Sequence, residues 1–179
     1  MGVIERIASN APWEPIFGYS RAVKAGEFLA VSGTTATDER GLLVGAGQMY
    51  VQARQALLNI KAHVERAGFN IANVIRTRVF TTDISRFAEI ARAHREILGS
   101  NPPASTLVEV KSLVHPEMLV EIEADVWAGA AEGPVNPEAK VAPTGAAQKR
   151  PGVAAPKAKA AGPKAAASPK GRARPRRRK

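Results

Sequence analysis

The sequence predicts a two-layer α+β fold, a mixed sheet with two helices on one face. Three observations predict it. Two segments carry apolar residues at helical spacing, several shorter ones alternate apolar and polar residues, and the order runs strands, helix, strand, helix, two strands. Within 179 residues, 45% of them hydrophobic, this is enough for one core.

Each element has a local reason. Tyr19 to Ala25 and Phe28 to Ser32 are β-forming runs around Gly26-Glu27, which reads as a hairpin, and Gly41 to Val44 adds a short strand. From about 48 to 67, Met49, Ala53, Ala56, Leu57, Ile60, Val64 and Ala67 make a helical stripe that Gly68 stops. Asn73 to Thr82 is a strand. Asp83 or Ser85 caps a second helix to about Leu98, with Phe87, Ile90, Ala91, His94, Ile97 and Leu98 as its stripe. Ser105 to Leu113 and Leu119 to Ala128 are the last strands, joined through His115-Pro116.

Strand parity sorts the faces. Val120, Ile122, Ala124 and Val126 should pack under the helices, leaving Glu121, Glu123 and Asp125 on the opposite face. In the middle strand, Ile75, Thr77 and Val79 alternate with Arg76, Arg78 and Phe80. Two arginines therefore meet three acids, with Glu109 expected as a fourth. Two readings are open: a salt-bridge network, or a polar cleft on a sheet face left bare by the helices. His63 reads as exposed. His94 reads as a hydrogen-bonded histidine beneath its helix, and His115 as a structural turn residue.

Composition excludes several classes. There is no cysteine, so no disulfide, thiolate metal site or cysteine nucleophile. No apolar run reaches the ~18 residues of a membrane span, and MGVIERIASN has no apolar signal-peptide region. A cytoplasmic protein without membrane contact is expected. Gly45-Ala-Gly47 lacks the third glycine of a dinucleotide loop, Tyr50 standing there, and no metal-ligand cluster is seen, so no cofactor is expected.

The net charge of +10 divides unevenly. Residues 133–179 hold 13 of the 26 basic residues and one acid, Glu138, giving +12; the remaining 13 basic and 15 acidic residues give −2. A domain over 1–130 is expected, followed at 131–179 by a disordered Ala/Pro/Lys/Arg-rich tail. Such an arm suits non-specific nucleic-acid binding through residues 133–179; a solvated appendage is the plainer alternative.

The body resembles the reactive intermediate deaminase (Rid) family. The residues that carry the resemblance are Phe17-Gly-Tyr-Ser20, Val31-Ser-Gly33, Gln52 to Asn59, Pro103 to Val110 and Val120-Glu-Ile-Glu-Ala124. The resemblance covers about residues 10–128. It implies a chorismate-mutase-like homotrimer with small-molecule clefts between subunits, and hydrolysis of imines or enamines without a cofactor. Some members are also described as translation inhibitors or ribonucleases. The resemblance further implies Glu121 and Tyr19 as catalytic residues, with Ser32, Gly33, Arg78, Ser105 and Thr106 binding the ligand. Deaminating members carry arginine after Pro-Ala, where this chain has Ser105; a hydroxyl is a weaker carboxylate anchor than a forked guanidinium. Arg78 is the expected substitute, with His94 next. Three functions stay open: an imine or enamine hydrolase of weakened or altered activity, a non-catalytic ligand-binding trimer, and a nucleic-acid-associated protein acting through its tail.

Overall fold

A computed structural model describes residues 3–9 and 11–129. The basic tail expected at 131–179 lies outside the described residues. The elements are β1 (Ile4–Ile7), α1 (Trp13–Phe17), β2 (Ala22–Ala25), β3 (Phe28–Thr34), α2 (Met49–Arg66), β4 (Val74–Thr81), α3 (Phe87–Leu98), β5 (Ala104–Glu109) and β6 (Val120–Trp127). One six-stranded sheet runs β1-β2-β3-β6-β4-β5. Every pairing is antiparallel except β4 with β5, so the sheet is mixed, as expected. β1 and α1 were not anticipated: Ile4–Ile7 is too short and too exposed to carry a readable alternation.

The hairpin of β2 and β3 turns at Gly26-Glu27, with Gly26 at φ +63°, a conformation glycine adopts without penalty. Helix α2 buries the whole predicted stripe, from Met49 to Val64, and Gly68 at φ +82° follows its end. The stripe packs on Leu29 and Val31 of β3 and on the inward row of β6, where Val120, Ile122, Ala124 and Val126 are each at most 1% exposed. Gln52, buried in α2, fastens the flanking loops: its amide donates to Gly45 O and Glu117 O, and its oxygen accepts from Leu119 N–H.

Four expectations about faces are corrected. Ile75 leaves the inward row because a bulge sets Ile75 and Arg76 against Asp125 alone, and Val74 takes the buried place. Glu109 does not join the acidic face. Parallel register puts it beside buried Thr81, on the helix side, where Glu109 Oε2 accepts from Ile84 N–H. Phe87 is exposed, because the chain turns through a 3-10 segment at Ile84–Arg86 before α3 starts; Ala93 completes the buried stripe with Ile90 and Leu98. His63 is half-buried, not exposed. Asp83 supplies the cap, accepting from Ser85 N–H at 3.0 Å. Three strands are clearly shorter than read: β2 starts at Ala22 and not at Tyr19, Gly41–Val44 contributes only the isolated bridge Thr37–Leu43, and β5 ends at Glu109.

Candidate ligand site

The site begins at an irregularity in β3. Val31 pairs with Ala124 and Thr34 with Ile122, so Ser32 and Gly33 together oppose Glu123. This bulge tilts the backbone at Ser32-Gly33 out of the regular ladder. Ser32 is tied back to the incoming strand: its hydroxyl donates to Ser20 O at 2.8 Å and its N–H to Arg21 O at 3.0 Å.

Glu121 lies against the bulge. It sits on the sheet face away from the helices, and its carboxylate reaches over Gly33 so closely that a Cβ at Gly33 would collide with it. Among the described residues the carboxylate has no hydrogen-bond donor within reach. Burial pushes its pKa above the ordinary carboxylate value; the Arg21 cation partly opposes this, and Glu123 adds to it. An underhydrated carboxylate of raised basicity is a capable proton acceptor.

Arg21 is the organising cation, and the sequence reading missed it. It is 7% exposed. One guanidinium nitrogen donates to Gly33 O at 2.7 Å and Thr34 Oγ1 at 3.2 Å, the other to Tyr19 Oη at 2.6 Å. Nε faces Glu14 Oε1 at 3.9 Å, and Glu14 also accepts from Ser9. Because Tyr19 Oη accepts from Arg21, its own proton is left to donate to a ligand. The signal was available: residue 21 lies two positions beyond Tyr19, hence on the same side of an extended chain.

Tyr19, Ser32, Gly33 and Glu121 therefore come together around Arg21. The remaining predicted residues stand elsewhere. Arg78 is on the same broad face but engaged, donating to Glu123 at 3.0 Å and Asp125 at 3.2 Å, with Arg76 4.0 Å from Asp125. Thr106 pairs with Arg78 and shares its side of the sheet. Ser105 pairs with Thr77 and faces the helix side, where its Oγ lies 2.9 Å from Thr77 Oγ1. Within one chain, Ser105 and Glu121 lie on opposite faces of the sheet.

Residues 8–128 match the family described as Endoribonuclease L-PSP. This chain is an L-PSP family protein. The L-PSP domain is 35% identical over 129 residues to an uncharacterised protein of Streptomyces coelicolor, covering 72% of this chain and 96% of that one. It is 40% identical over 115 residues to a RutC family protein of Pyrococcus horikoshii, covering 64% and 90%. Among solved structures, a Mycobacterium tuberculosis member of the YjgF/YER057c/UK114 family superposes with a TM-score of 0.64 at 38% identity, covering 70% of this chain and 99% of that one. The YjgF gene product of Escherichia coli gives 0.61 at 31%, covering 69% and 98%. None of the helices described in this L-PSP domain is long and apolar enough to cross a membrane.

Proposed function

We propose that the protein is a homotrimeric, cofactor-independent hydrolase of small imines or enamines, with substrate preference altered at Ser105. The observation that carries this reading is the underhydrated Glu121 carboxylate above Gly33, in the field of the Arg21 cation that also fills the acceptor side of the Tyr19 phenol. Glu121 takes a proton from water as the water oxygen bonds to the imine carbon. Tyr19 donates a hydrogen bond that holds the substrate. The proton then passes from Glu121 to the nitrogen, leaving a carbinolamine with a C–N single bond; its hydroxyl proton next moves through Glu121 to the amino group, the C–N bond breaks, and ammonia leaves as the carbonyl forms. A trimer is the assembly this reading requires: Ser105 and Glu121 lie on opposite faces of one chain, so a cleft that uses both must take them from two copies.

The test is ammonia release from short-lived imines generated from several amino acids. Glu121→Gln should lower the rate by roughly 10²–10⁴-fold, the range for loss of a general base. Sedimentation should give a trimer at micromolar concentration. Ligand binding without turnover on any imine would replace this reading with that of a non-catalytic binding protein.

The +12 charge of residues 133–179 favours a second role in the same molecule. Three tails on one trimer would bind nucleic-acid backbones without reading sequence, gaining strength through linkage.

A further inference from the structure

Ser105 is one end of a chain of three polar side chains. Thr77 Oγ1 lies 2.9 Å from Ser105 Oγ and 3.0 Å from His94 Nε2. The three come from different elements. Ser105 is exposed on β5, a strand paired on one edge only; Thr77 is 1% exposed on β4; His94 is half-buried on α3. Burial holds the His94 imidazole below its ordinary pKa. At neutral pH the ring therefore carries no charge.

The chain works in two senses. With a proton on Nε2, His94 donates to Thr77, Thr77 donates to Ser105, and the Ser105 hydroxyl proton is free to donate outward. With Nε2 bare, Ser105 donates to Thr77, Thr77 donates to His94, and the Ser105 oxygen is free to accept. The exposed end thus offers a donor or an acceptor at no cost in net charge. A carboxylate gains less: it can only accept, and at Ser105 it finds one neutral hydroxyl donor, roughly half as strong as the charge-assisted pair a guanidinium would give it.

We propose that the Ser105–Thr77–His94 chain is a binding subsite for a neutral hydrogen-bonding group, a carboxamide or carbonyl, and that it selects against a free carboxylate. This rests on the hydrolase reading for the remainder of the substrate, and it names the substrate class: imines of amino-acid amides or similar uncharged derivatives in place of imines of free amino acids.

The probes are pyruvamide and pyruvate, uncharged and anionic forms of one hydrolysis product. Each is titrated into the full-length protein at pH 7 while the His94 ring resonances are followed by NMR. Pyruvamide should shift those resonances and bind at least roughly tenfold more tightly than pyruvate, about 1.4 kcal/mol. Ser105→Ala, a change at an exposed hydroxyl that spares the core, should remove that preference, and Ser105→Arg should reverse it. Equal binding of the two probes, or a preference for pyruvamide that survives Ser105→Ala, overturns the subsite. Ammonia release from the wild-type protein separates the two readings. An amide preference in a wild-type protein that releases no ammonia sinks the hydrolase and leaves the subsite. Ammonia release without the preference does the opposite.

Discussion

The carboxylate of Glu121 occupies the space that a side chain at Gly33 would need. Glycine at this bulge is therefore a requirement of the Glu121 side chain that lies against it and not of the turn. The obstructing atoms are the far end of a flexible side chain, so Gly33→Ala should fold and displace Glu121 toward water. We expect ammonia release to fall toward the level of Glu121→Gln. The Glu121 pKa, followed by NMR, should move back toward the ordinary carboxylate value. A small change in Tm, within a few degrees, should accompany it.

Arg21 joins three partners that no other residue could join at once. Arg21→Met should destabilise the fold by about 1–3 kcal/mol, because it leaves the Gly33 carbonyl and the Tyr19 phenol oxygen without their charged donor. Arg21→Lys keeps the charge and loses the fork, so its cost should be smaller while Tyr19 is still released. Urea denaturation of both variants measures the difference.

The acid limb of stability should be governed partly by His63. Its pKa is lowered to about 4 by burial first, then by Arg21 and Arg66, with Glu14 opposing. The unfolded chain takes up its proton near the ordinary 6.5, whereas the folded chain resists until about 4. Stability is therefore lost as pH falls from about 6.5 to about 4, and is unaffected by this group above 6.5. His63→Gln should flatten that limb. Glu121 runs the other way: its raised pKa means charging it costs stability as pH rises past the ordinary carboxylate value, so Glu121→Gln should raise Tm at pH 7 and not at pH 3. Thermal melts of the wild type and both variants across pH 3 to 8 check the two signs.

Truncation after Ala131 removes the +12 segment. Full-length protein should retard random-sequence DNA at ~50 mM salt and release it near 200 mM, with a log–log slope near −0.9 per phosphate neutralised. The truncated protein should not retard DNA at either concentration. Equal retardation by the two proteins would assign the tail no part in binding.

What the sequence made legible was periodic, and what it hid was irregular. The alternation Val120, Ile122, Ala124, Val126 placed β6 and both of its faces correctly, because nothing interrupts the pleat there. One extra residue in β4 was enough to misplace Ile75, and nothing local marks that bulge. Glu109 was misread because parity was counted along β5 alone, whereas its parallel register on β4 decides its side. In the candidate site, Tyr19, Ser32, Gly33 and Glu121 were singled out by resemblance, and the fold brings them together. Arg21 was not, since an arginine in a hairpin reads as a solvated charge until three partners and a buried glutamate surround it.

The strand made last sits in the middle. β6 is flanked by β3 on one side and β4 on the other, although the chain reaches it after every other element is complete. Until Val120–Trp127 is inserted, the hairpin half and the β4–β5 half each carry a bare inner edge, and the apolar stripe of α2 has only half its floor. Closing the sheet must await contacts spanning nearly the whole domain, a topology that folds slowly. In that interval the two open edges are the places where one chain would pair with another. Destabilising the insertion of β6 should therefore show first as aggregation during refolding, before it shows as a lower melting temperature.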